Sequence, residues 1–403
     1  MTSKERLLSV LRGQNADRIP WAPFLTYWWD QNLVREAEKL GELGFKRAVG
    51  CDLLMRGHFD RKTHVDYRDA FVFRISYATT EIEEIINGFT KRMEYKTPIG
   101  TLIARYIYSP DGNTWFLTEH PVKTEQDFLL LAYIARDMLL RSDSSDFCEE
   151  SINNPDTLFV PLISPFTKTA FQSMIEYWVG TEELTYALMD YPEVVAHALT
   201  AMQETSFKAA AICAQSPGDV FISWEDTSTT NISPDWYERY ILPEINHWCD
   251  VLHEKGKLYI QHACGHLRAL APLIAQSKID AIESVSSKPT GNISPWELKD
   301  LLPKRIAIIG GIEPTFFIGA TIGELVEHVA FLQDQFKGRR FILANADSCP
   351  PAVDINRFGV VSNKVLQLAN MEPIHVPWFD QKDLIAKRGN AGYHGSPKTK
   401  LER

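Results

Sequence analysis

The chain has 403 residues, 45% of them hydrophobic and 23% charged, which is enough for one large domain or two smaller ones. Its formal net charge of −10 disfavours a nucleic-acid-binding surface, because phosphate contacts need a basic face. The sequence has no run of about 18 apolar residues that could span a membrane, and it begins with a charged helix rather than an apolar signal core. The six cysteines are scattered without a disulfide pattern, which predicts a cytoplasmic protein with free thiols.

A first helix is followed by a regular alternation of strands and helices. Thr2 and Glu5 form a capping-box pattern for that helix, which should end near Gly13. Apolar runs then predict strands, and most of these runs are unbroken, as in parallel strands covered on both faces. The predicted strands cover residues 19–25, 52–56, 158–163, 219–224, 258–262, 281–285, 306–309 and 341–344. This order predicts an α/β fold, a (β/α)8 TIM barrel with an N-terminal helix.

A doubly wound open sheet would give the same alternation and is the structural alternative. It is disfavoured because no Gly-rich nucleotide-binding loop follows the first predicted strand, where residues 24–29 are mostly aromatic. The sequence therefore predicts a single TIM-barrel domain over residues 1–403. Residues 377–403, rich in Lys, Gly and Asn, should pack loosely against it.

One segment departs from the strand–helix alternation. Between residues 63 and 122 the apolar residues alternate and are separated by turn signals such as Ser109-Pro110-Asp111-Gly112. This pattern predicts antiparallel hairpins inserted after the second barrel strand. An insertion at that rim would form part of a lid or substrate wall, or would only decorate the surface.

Soft metal ligands stand at the ends of two predicted strands. His262 and Cys264 share one face, because alternate residues of a strand point the same way, and Cys349 follows the eighth strand. In a barrel these strand ends meet at one mouth. One imidazole and two thiolates are a ligand set that zinc favours, and they leave a fourth position open for chemistry. The alternatives are buried structural cysteines or a redox pair.

Two carboxylates end the fourth predicted strand, next to the strand of His262. Glu225 is the predicted carboxylate beside the metal, as a fourth ligand or a proton relay. A salt bridge or a loop cap is its alternative role. Asp226 would point to the opposite face if the strand continued through it. A zinc site with two sulfur donors would suit a thiol nucleophile better than water activation.

Several motifs resemble the uroporphyrinogen decarboxylase superfamily, and within it the zinc-dependent corrinoid methyltransferases, including methylcobamide:coenzyme M methyltransferases. His262-x-Cys264 with the distant Cys349 matches that branch's zinc ligands one for one. The decarboxylases' Arg-rich N-terminal signature is absent, which disfavours a carboxy-lyase, the alternative activity. The other similar segments are residues 4–13 with 17–20, 232–234 with 240–243, and 310–315.

The resemblance implies a TIM barrel with Zn²⁺ at its mouth and a separate corrinoid protein that carries cobalamin to that mouth. The implied reaction moves a methyl group between the corrinoid and a small substrate, by demethylating a methylated substrate or by methylating a thiol. Homodimers are common in the superfamily, so a homodimer is a further expectation. Aromatic residues after the first strand would line a pocket for a methoxyarene, in an O-demethylation, or would pack in the core: Phe24, Tyr27, Trp28 and Trp29.

Overall fold

The structure is a computed structural model and describes residues 1–57, 70–110, 114–377 and 384–386. Its helices are α1 (Ser3–Leu11), α2 (Thr26–Gln31), α3 (Arg35–Ala48), α4 (Glu125–Asp137), α5 (Ser145–Asn153), α6 (Ala170–Ser173), α7 (Thr181–Asp190), α8 (Pro192–Gln215), α9 (Pro234–Trp236), α10 (Leu242–His253), α11 (Ala271–Gln276), α12 (Pro295–Leu301), α13 (Pro314–Gly319), α14 (Ile322–Gln335) and α15 (Asn356–Leu368), with π-helical segments at Met174–Trp178 and Tyr237–Ile241. Its strands are β1 (Asn32–Val34), β2 (Leu54–Arg56), β3 (Phe73–Tyr77), β4 (Glu81–Asn87), β5 (Thr90–Thr97), β6 (Gly100–Ser109), β7 (Thr114–Glu119), β8 (Met138–Ser142), β9 (Leu158–Val160), β10 (Val220–Trp224), β11 (Leu258–His262), β12 (Ala281–Val285), β13 (Ala307–Ile312), β14 (Phe341–Asn345) and β15 (Leu384–Ala386).

A five-stranded parallel sheet forms the centre of the fold, in the order β10-β11-β12-β13-β14. Almost every residue of these strands is buried, as expected for parallel strands covered by helices on their outer side. The register places Trp224, His262 and Glu283 side by side on three neighbouring strands. The predicted α/β class is therefore confirmed, and the strand ends that carry the predicted ligands lie at one edge of the sheet.

Three further connections extend the parallel arrangement beyond this sheet. β2 and β9 form a parallel pair, and a parallel bridge between Leu162 and Ile222 links the chain after β9 to β10. At the other side, Trp21 bridges in parallel to Leu343 of β14. The backbone N–H of Asp52, just before β2, donates to the Trp21 carbonyl at 2.6 Å. Residues from both ends of the chain therefore meet beside β14.

The first predicted strand, residues 19–25, is reduced to the single bridge at Trp21. Pro20 and Pro23 lack a backbone N–H and cannot donate to a neighbouring strand. Helix α2 then begins at Thr26. At the chain start, α1 follows Thr2, whose side chain accepts the Glu5 N–H while the Glu5 side chain accepts the Thr2 N–H.

A four-stranded antiparallel sheet, β4-β5-β6-β7, lies within the segment where the sequence predicts inserted hairpins. One face packs on α4, with Leu102 and Ala104 only 1% exposed. β3 pairs in antiparallel with β8, which the sequence did not predict because no turn signal separates it from α4. Residues 63–69 and 111–113 of the predicted insertion lie outside the described residues.

At the C-terminus, β15 pairs in antiparallel with β1. The rest of the predicted tail, apart from residue 377, lies outside the described residues. Among the helices that the structure describes, none combines the length and the apolar character needed to cross a membrane.

Candidate metal centre

Three potential metal-binding side chains converge at the carboxyl ends of β10 and β11. They are Asp226, His262 and Cys264, whose ligand atoms all lie within 4.8 Å of one another. The Oδ1 atom of Asp226 is 3.4 Å from His262 Nε2 and 3.5 Å from Cys264 Sγ. Two of the three predicted protein ligands, His262 and Cys264, are therefore brought together, and a carboxylate joins them.

The carboxylate in this group is Asp226, whereas the sequence analysis placed Glu225 beside the metal and pointed Asp226 away from it. That expectation assumed that the strand continues, but β10 ends at Trp224. Asp226 has a positive φ of 42°, an uncommon conformation outside glycine in which Asp is enriched. The turn ends the strand alternation, so the side chain of Asp226 reaches the His262 ring.

The other nitrogen of the His262 ring is held by neighbours on β12. Its Nδ1 atom lies 3.3 Å from a Glu283 carboxylate oxygen and 3.1 Å from the Ser284 hydroxyl. Glu283 also forms a buried ion pair with Arg56 of β2. Because a histidine that binds metal through one nitrogen usually donates the other N–H to a carboxylate, this arrangement leaves Nε2 available as the ligand atom.

The second oxygen of the Asp226 carboxylate is neutralised by Lys168. The Lys168 Nζ atom is 2.9 Å from Asp226 Oδ2, also pairs with Glu176, and lies 4.9 Å from the centre of the Tyr177 ring. Burial opposes the charged form, but the negative charges around Lys168 raise its pKa above the usual value. Lys168 therefore stays cationic and fixes the carboxylate with its other oxygen, Oδ1, towards His262.

His262 and Cys264 would each lose a proton when a metal ion binds. Burial opposes protonation of His262, but hydrogen bonds with Asp226, Cys264 and Glu283 raise its pKa well above the usual value. Burial also raises the pKa of the Cys264 thiol. Imidazole, thiolate and carboxylate are the three donor types that zinc accepts in proteins, so these residues fit that ion.

The third predicted ligand, Cys349, lies outside this group of three. Its side chain is fully buried, its backbone N–H donates to the Phe24 carbonyl at 2.8 Å, and its sulfur lies 3.9 Å from the Pro350 carbonyl. Asp347, two residues earlier, has Oδ1 3.9 Å from His262 Nε2. In the segment after β14, Asp347 therefore lies close to the group of three, and this residue was not predicted from the sequence. All six cysteines of the chain are free.

Glu225 lies in a buried pair of carboxylates on the side of β10 facing α6. Its oxygens accept hydrogen bonds from the Thr169 N–H and hydroxyl, at the start of α6. Glu244 accepts the Ala170 N–H at 3.1 Å. Burial raises the pKa of Glu225 to about 8 and that of Glu244 to about 7. Glu225 thus accepts hydrogen bonds from Thr169 at the start of α6, whereas the alternative roles considered from the sequence were a salt bridge and a loop cap.

We expect Glu225→Gln to flatten the dependence of folding stability on pH. The raised pKa of Glu225 means that the folded state holds a proton which the unfolded state has already released. This contribution to stability is fully present below about pH 4.5 and is lost as the pH rises through about 8, by on the order of a few kcal/mol at most. Urea denaturation at about pH 5 and about pH 9 measures it. Glu327→Gln, at an exposed position of α14, is the control, and an equal slope in both variants would contradict the assignment.

One of the four predicted pocket aromatics lines the centre. Phe24 stacks on Trp224 with ring centres 5.4 Å apart, and its edge meets the His262 ring at 6.0 Å. Trp224 also contacts His262, at 5.3 Å. Trp224 was not predicted as a site residue. Its place at the end of β10, on the strand next to that of His262, could have indicated that it lines the site.

The other three aromatics lie away from the His262 ring. Trp28 is fully buried and packs on Phe45, and its indole N–H donates to the Val353 carbonyl at 2.9 Å. Trp29 also packs on Phe45. Tyr27 is 40% exposed. Core packing, the alternative that the sequence left open, accounts for Trp28 and Trp29.

The fold and the family of the chain agree. Residues 120–366 match the uroporphyrinogen decarboxylase (URO-D) family, and the chain belongs to that family. The resemblance that the sequence motifs indicated is therefore confirmed at the level of the family.

The chain is also similar to solved structures. One is a methyltransferase from Methanosarcina mazei, 12% identical in sequence, with a TM-score of 0.57 over 91% of this chain and 99% of that one. Another is a B12-independent methionine synthase from a Shewanella species, 11% identical, with a TM-score of 0.42 over 87% of this chain and 97% of the other. No curated protein matches the sequence. At 12% identity, the likeness to the Methanosarcina structure shows the fold alone.

Proposed function

We propose that this protein is a zinc-dependent methyltransferase that works with a cytoplasmic corrinoid protein. The observation that carries the proposal is the convergence of Asp226, His262 and Cys264 within 4.8 Å at the carboxyl ends of two parallel strands. Membership of the URO-D family and the fold shared with a methyltransferase support it. In α/β folds with parallel strands, this edge is where reacting groups gather.

We further propose that the parallel strands close into a single (β/α)8 barrel. The support is a closed series of contacts. The Asp52–Trp21 hydrogen bond leads to β2, which pairs with β9, and the Leu162 bridge leads on to β10 and the sheet β10–β14. The bridge between Leu343 of β14 and Trp21 completes the series. In such a barrel the metal centre lies at the mouth, within reach of a docked partner.

The side chains around the centre have two roles: they orient the metal ligands and exclude water from them. Bound zinc would supply Lewis acidity and keep a sulfur or oxygen group in its anionic form. Glu283 orients His262, and Lys168 orients Asp226. Phe24 and Trp224 cover one side of the His262 ring and exclude water there. Cys349 remains a proposed fourth protein donor beside Asp226, His262 and Cys264, to be tested by substitution.

The donor set leaves the direction of methyl transfer open. The Asp226 oxygen makes the site harder than the set of one nitrogen and two sulfurs that the sequence predicted, even with Cys349 as a second sulfur donor, so oxygen as well as sulfur groups are acceptable partners. Phe24 and Trp224 form a stacked aromatic wall beside the metal ligands. This wall supports a flat methyl donor such as a methoxyarene, and therefore O-demethylation.

A decarboxylase-like carboxy-lyase is the second candidate, because the family takes its name from a decarboxylase. Such an enzyme needs cations that are free to bind substrate carboxylates. Arg56 and Lys168, two buried cations near the centre, are already paired, Arg56 with Glu283 and Lys168 with Asp226 and Glu176. The pairing disfavours carboxylate binding by either residue.

The deciding experiment incubates the zinc-loaded protein with Co(I) cobalamin and with methoxyarenes, methylamines or methyl thioethers. Formation of methylcobalamin, followed by its absorbance, would establish demethylation. Consumption of methylcobalamin by a small thiol would instead establish thiol methylation. If neither occurs, with free cobalamin or with corrinoid protein, while CO2 is released from a carboxylated substrate, a carboxy-lyase activity replaces the proposal.

We expect the affinity for zinc to fall as the pH is lowered. The metal needs neutral His262 and ionised Cys264, and the pKa values of both are raised in the folded protein. Protons therefore compete with zinc from high pH downwards, and binding should release more than one proton near neutral pH. Calorimetric titration in buffers of different ionisation enthalpy counts these protons. Zinc affinity that is independent of pH would contradict the assigned ligands.

A further inference from the structure

A cavity lies at the opposite edge of the parallel sheet from the metal centre. Its volume is about 650 Å³, within the range of cavities that bind small organic molecules. Ile19 and Pro20 precede the Trp21 bridge, and Arg305 and Arg340 precede β13 and β14. These positions place the cavity at the amino ends of the strands, whereas Asp226 and Cys264 follow the carboxyl ends of β10 and β11.

The lining of this cavity is strongly basic, although the whole chain carries a net charge of −10. Asp17 is the one carboxylate in the lining, and it already accepts hydrogen bonds from Arg6 and the N-terminal amine. Of the cationic residues, Arg18 alone is paired with a carboxylate, that of Asp52. The cationic side chains of the lining are Arg18, Lys304, Arg305, Lys337, Arg339 and Arg340.

None of the other five cations forms an ion pair among the residues that the structure describes, although the Asp300 carboxylate acts on Arg339 from a greater distance. Within that part of the chain, the guanidinium groups donate to backbone carbonyls: Arg305 to Ile279 and Ser277, Arg339 to Leu302, and Arg340 to Leu11. The side chains of Lys304 and Lys337 are exposed and make no hydrogen bond among the described residues. Like charges held together repel one another, so this arrangement favours a multiply charged anion between them.

Gly13 leaves space for one of these cations, Arg340. Gly13 has φ +73°, and a Cβ atom there would lie 2.3 Å from the guanidinium of Arg340. A side chain at position 13 would therefore displace that guanidinium from the cavity wall. Phe336 and Phe341 also line the cavity; their rings stack at 3.9 Å, and each residue is only 3% exposed.

We propose that this cavity binds a small organic molecule that carries a diphosphate or triphosphate group. Guanidinium groups match phosphate oxygens in two-point hydrogen bonds, and lysines add point charges. The phosphate chain lies among Lys304, Lys337 and Arg339, and the organic part extends towards the lining residues Phe336 and Phe341. The site is independent of the metal centre and of the methyl-transfer proposal.

The test is calorimetric titration of the full-length protein with ATP and with inorganic tripolyphosphate, at low and at physiological ionic strength. The variant is Lys304→Gln with Lys337→Gln, at two exposed positions whose side chains have no folded-state partner to lose among the described residues. The matched control removes the same charge elsewhere, with Lys208→Gln and Lys255→Gln, both exposed and outside the cavity. We expect binding to weaken by on the order of tenfold or more in the first variant and to persist in the control.

Two further arms distinguish this site from binding through zinc and from a nucleic-acid site. Polyphosphates can bind zinc, so binding must also persist in Cys264→Ser, which removes a metal ligand. A single-stranded RNA oligonucleotide that binds more tightly than ATP would replace the small-molecule ligand with a nucleic acid. Absence of binding at millimolar ATP and tripolyphosphate, or equal affinities in the cavity variant and the control variant, would overturn the proposal.

Discussion

Cys264→Ser should remove the metal and stop methyl transfer. Cys264 provides the only sulfur in the three-residue group, within 3.5 Å of Asp226 Oδ1. Loss of a residue that merely supports a metal ligand costs about 10- to 100-fold in affinity or activity, so loss of a ligand itself should cost more than about 100-fold. Metal analysis of the purified variant and a competition titration with a chromophoric chelator measure this.

Two companion variants make the Cys264 result interpretable. Cys148→Ser, at an exposed cysteine on α5, should keep full zinc content and activity. Cys349→Ser tests the proposed fourth donor, which lies outside the group of three: zinc affinity should fall if Cys349 binds the metal and should stay unchanged if it does not. If Cys264→Ser retains one zinc per chain and full activity, the metal centre is elsewhere and the proposed function fails.

Arg56→Leu should destabilise the folded protein by about 3–5 kcal/mol, because it leaves the Glu283 carboxylate buried without its partner. Both side chains of this ion pair are at most 2% exposed. Arg56 also donates to the Ala22 carbonyl at 2.9 Å. Urea denaturation gives the change in the free energy of unfolding. Zinc affinity should also fall, because Glu283 orients His262.

The matched control for Arg56 is Arg105→Leu on the inserted sheet. Arg105 forms an ion pair with Glu119, but these side chains are 51% and 38% exposed. Solvent screens such pairs, so their loss should change stability little. Equal effects of the two substitutions would show that burial does not set the strength of the Arg56–Glu283 pair.

The sequence predicted the strands of the sheet well, because buried parallel strands are continuous apolar runs. The predicted strand 258–262 coincides with β11. The two-residue spacing of His262 and Cys264 also brings their side chains together, as predicted. The first strand was less predictable, because prolines at 20 and 23 reduce it to a bridge that apolar character alone does not reveal.

The details of the site depended on features that periodicity does not encode. Asp226 rather than Glu225 reaches His262 because Asp226, just past the end of β10, has a left-handed backbone conformation. Patterns in a single sequence do not locate such turns. The partners Lys168 and Asp347 lie in the segments that follow β9 and β14, and their contacts with the centre depend on the sheet topology. Trp28 is aromatic like Phe24, and only its packing on Phe45 distinguishes a core residue from a pocket residue.

The contact chain from Arg56 through Glu283 to His262 has a consequence for how the enzyme matures. Arg56 belongs to the first sixth of the chain, whereas His262 and Glu283 are made much later during synthesis. A nascent chain holding His262 and Cys264 but not yet Glu283 has the ligands without the contact that orients them. Zinc capture would then follow assembly of the early and late segments, and metal content would report on completed folding.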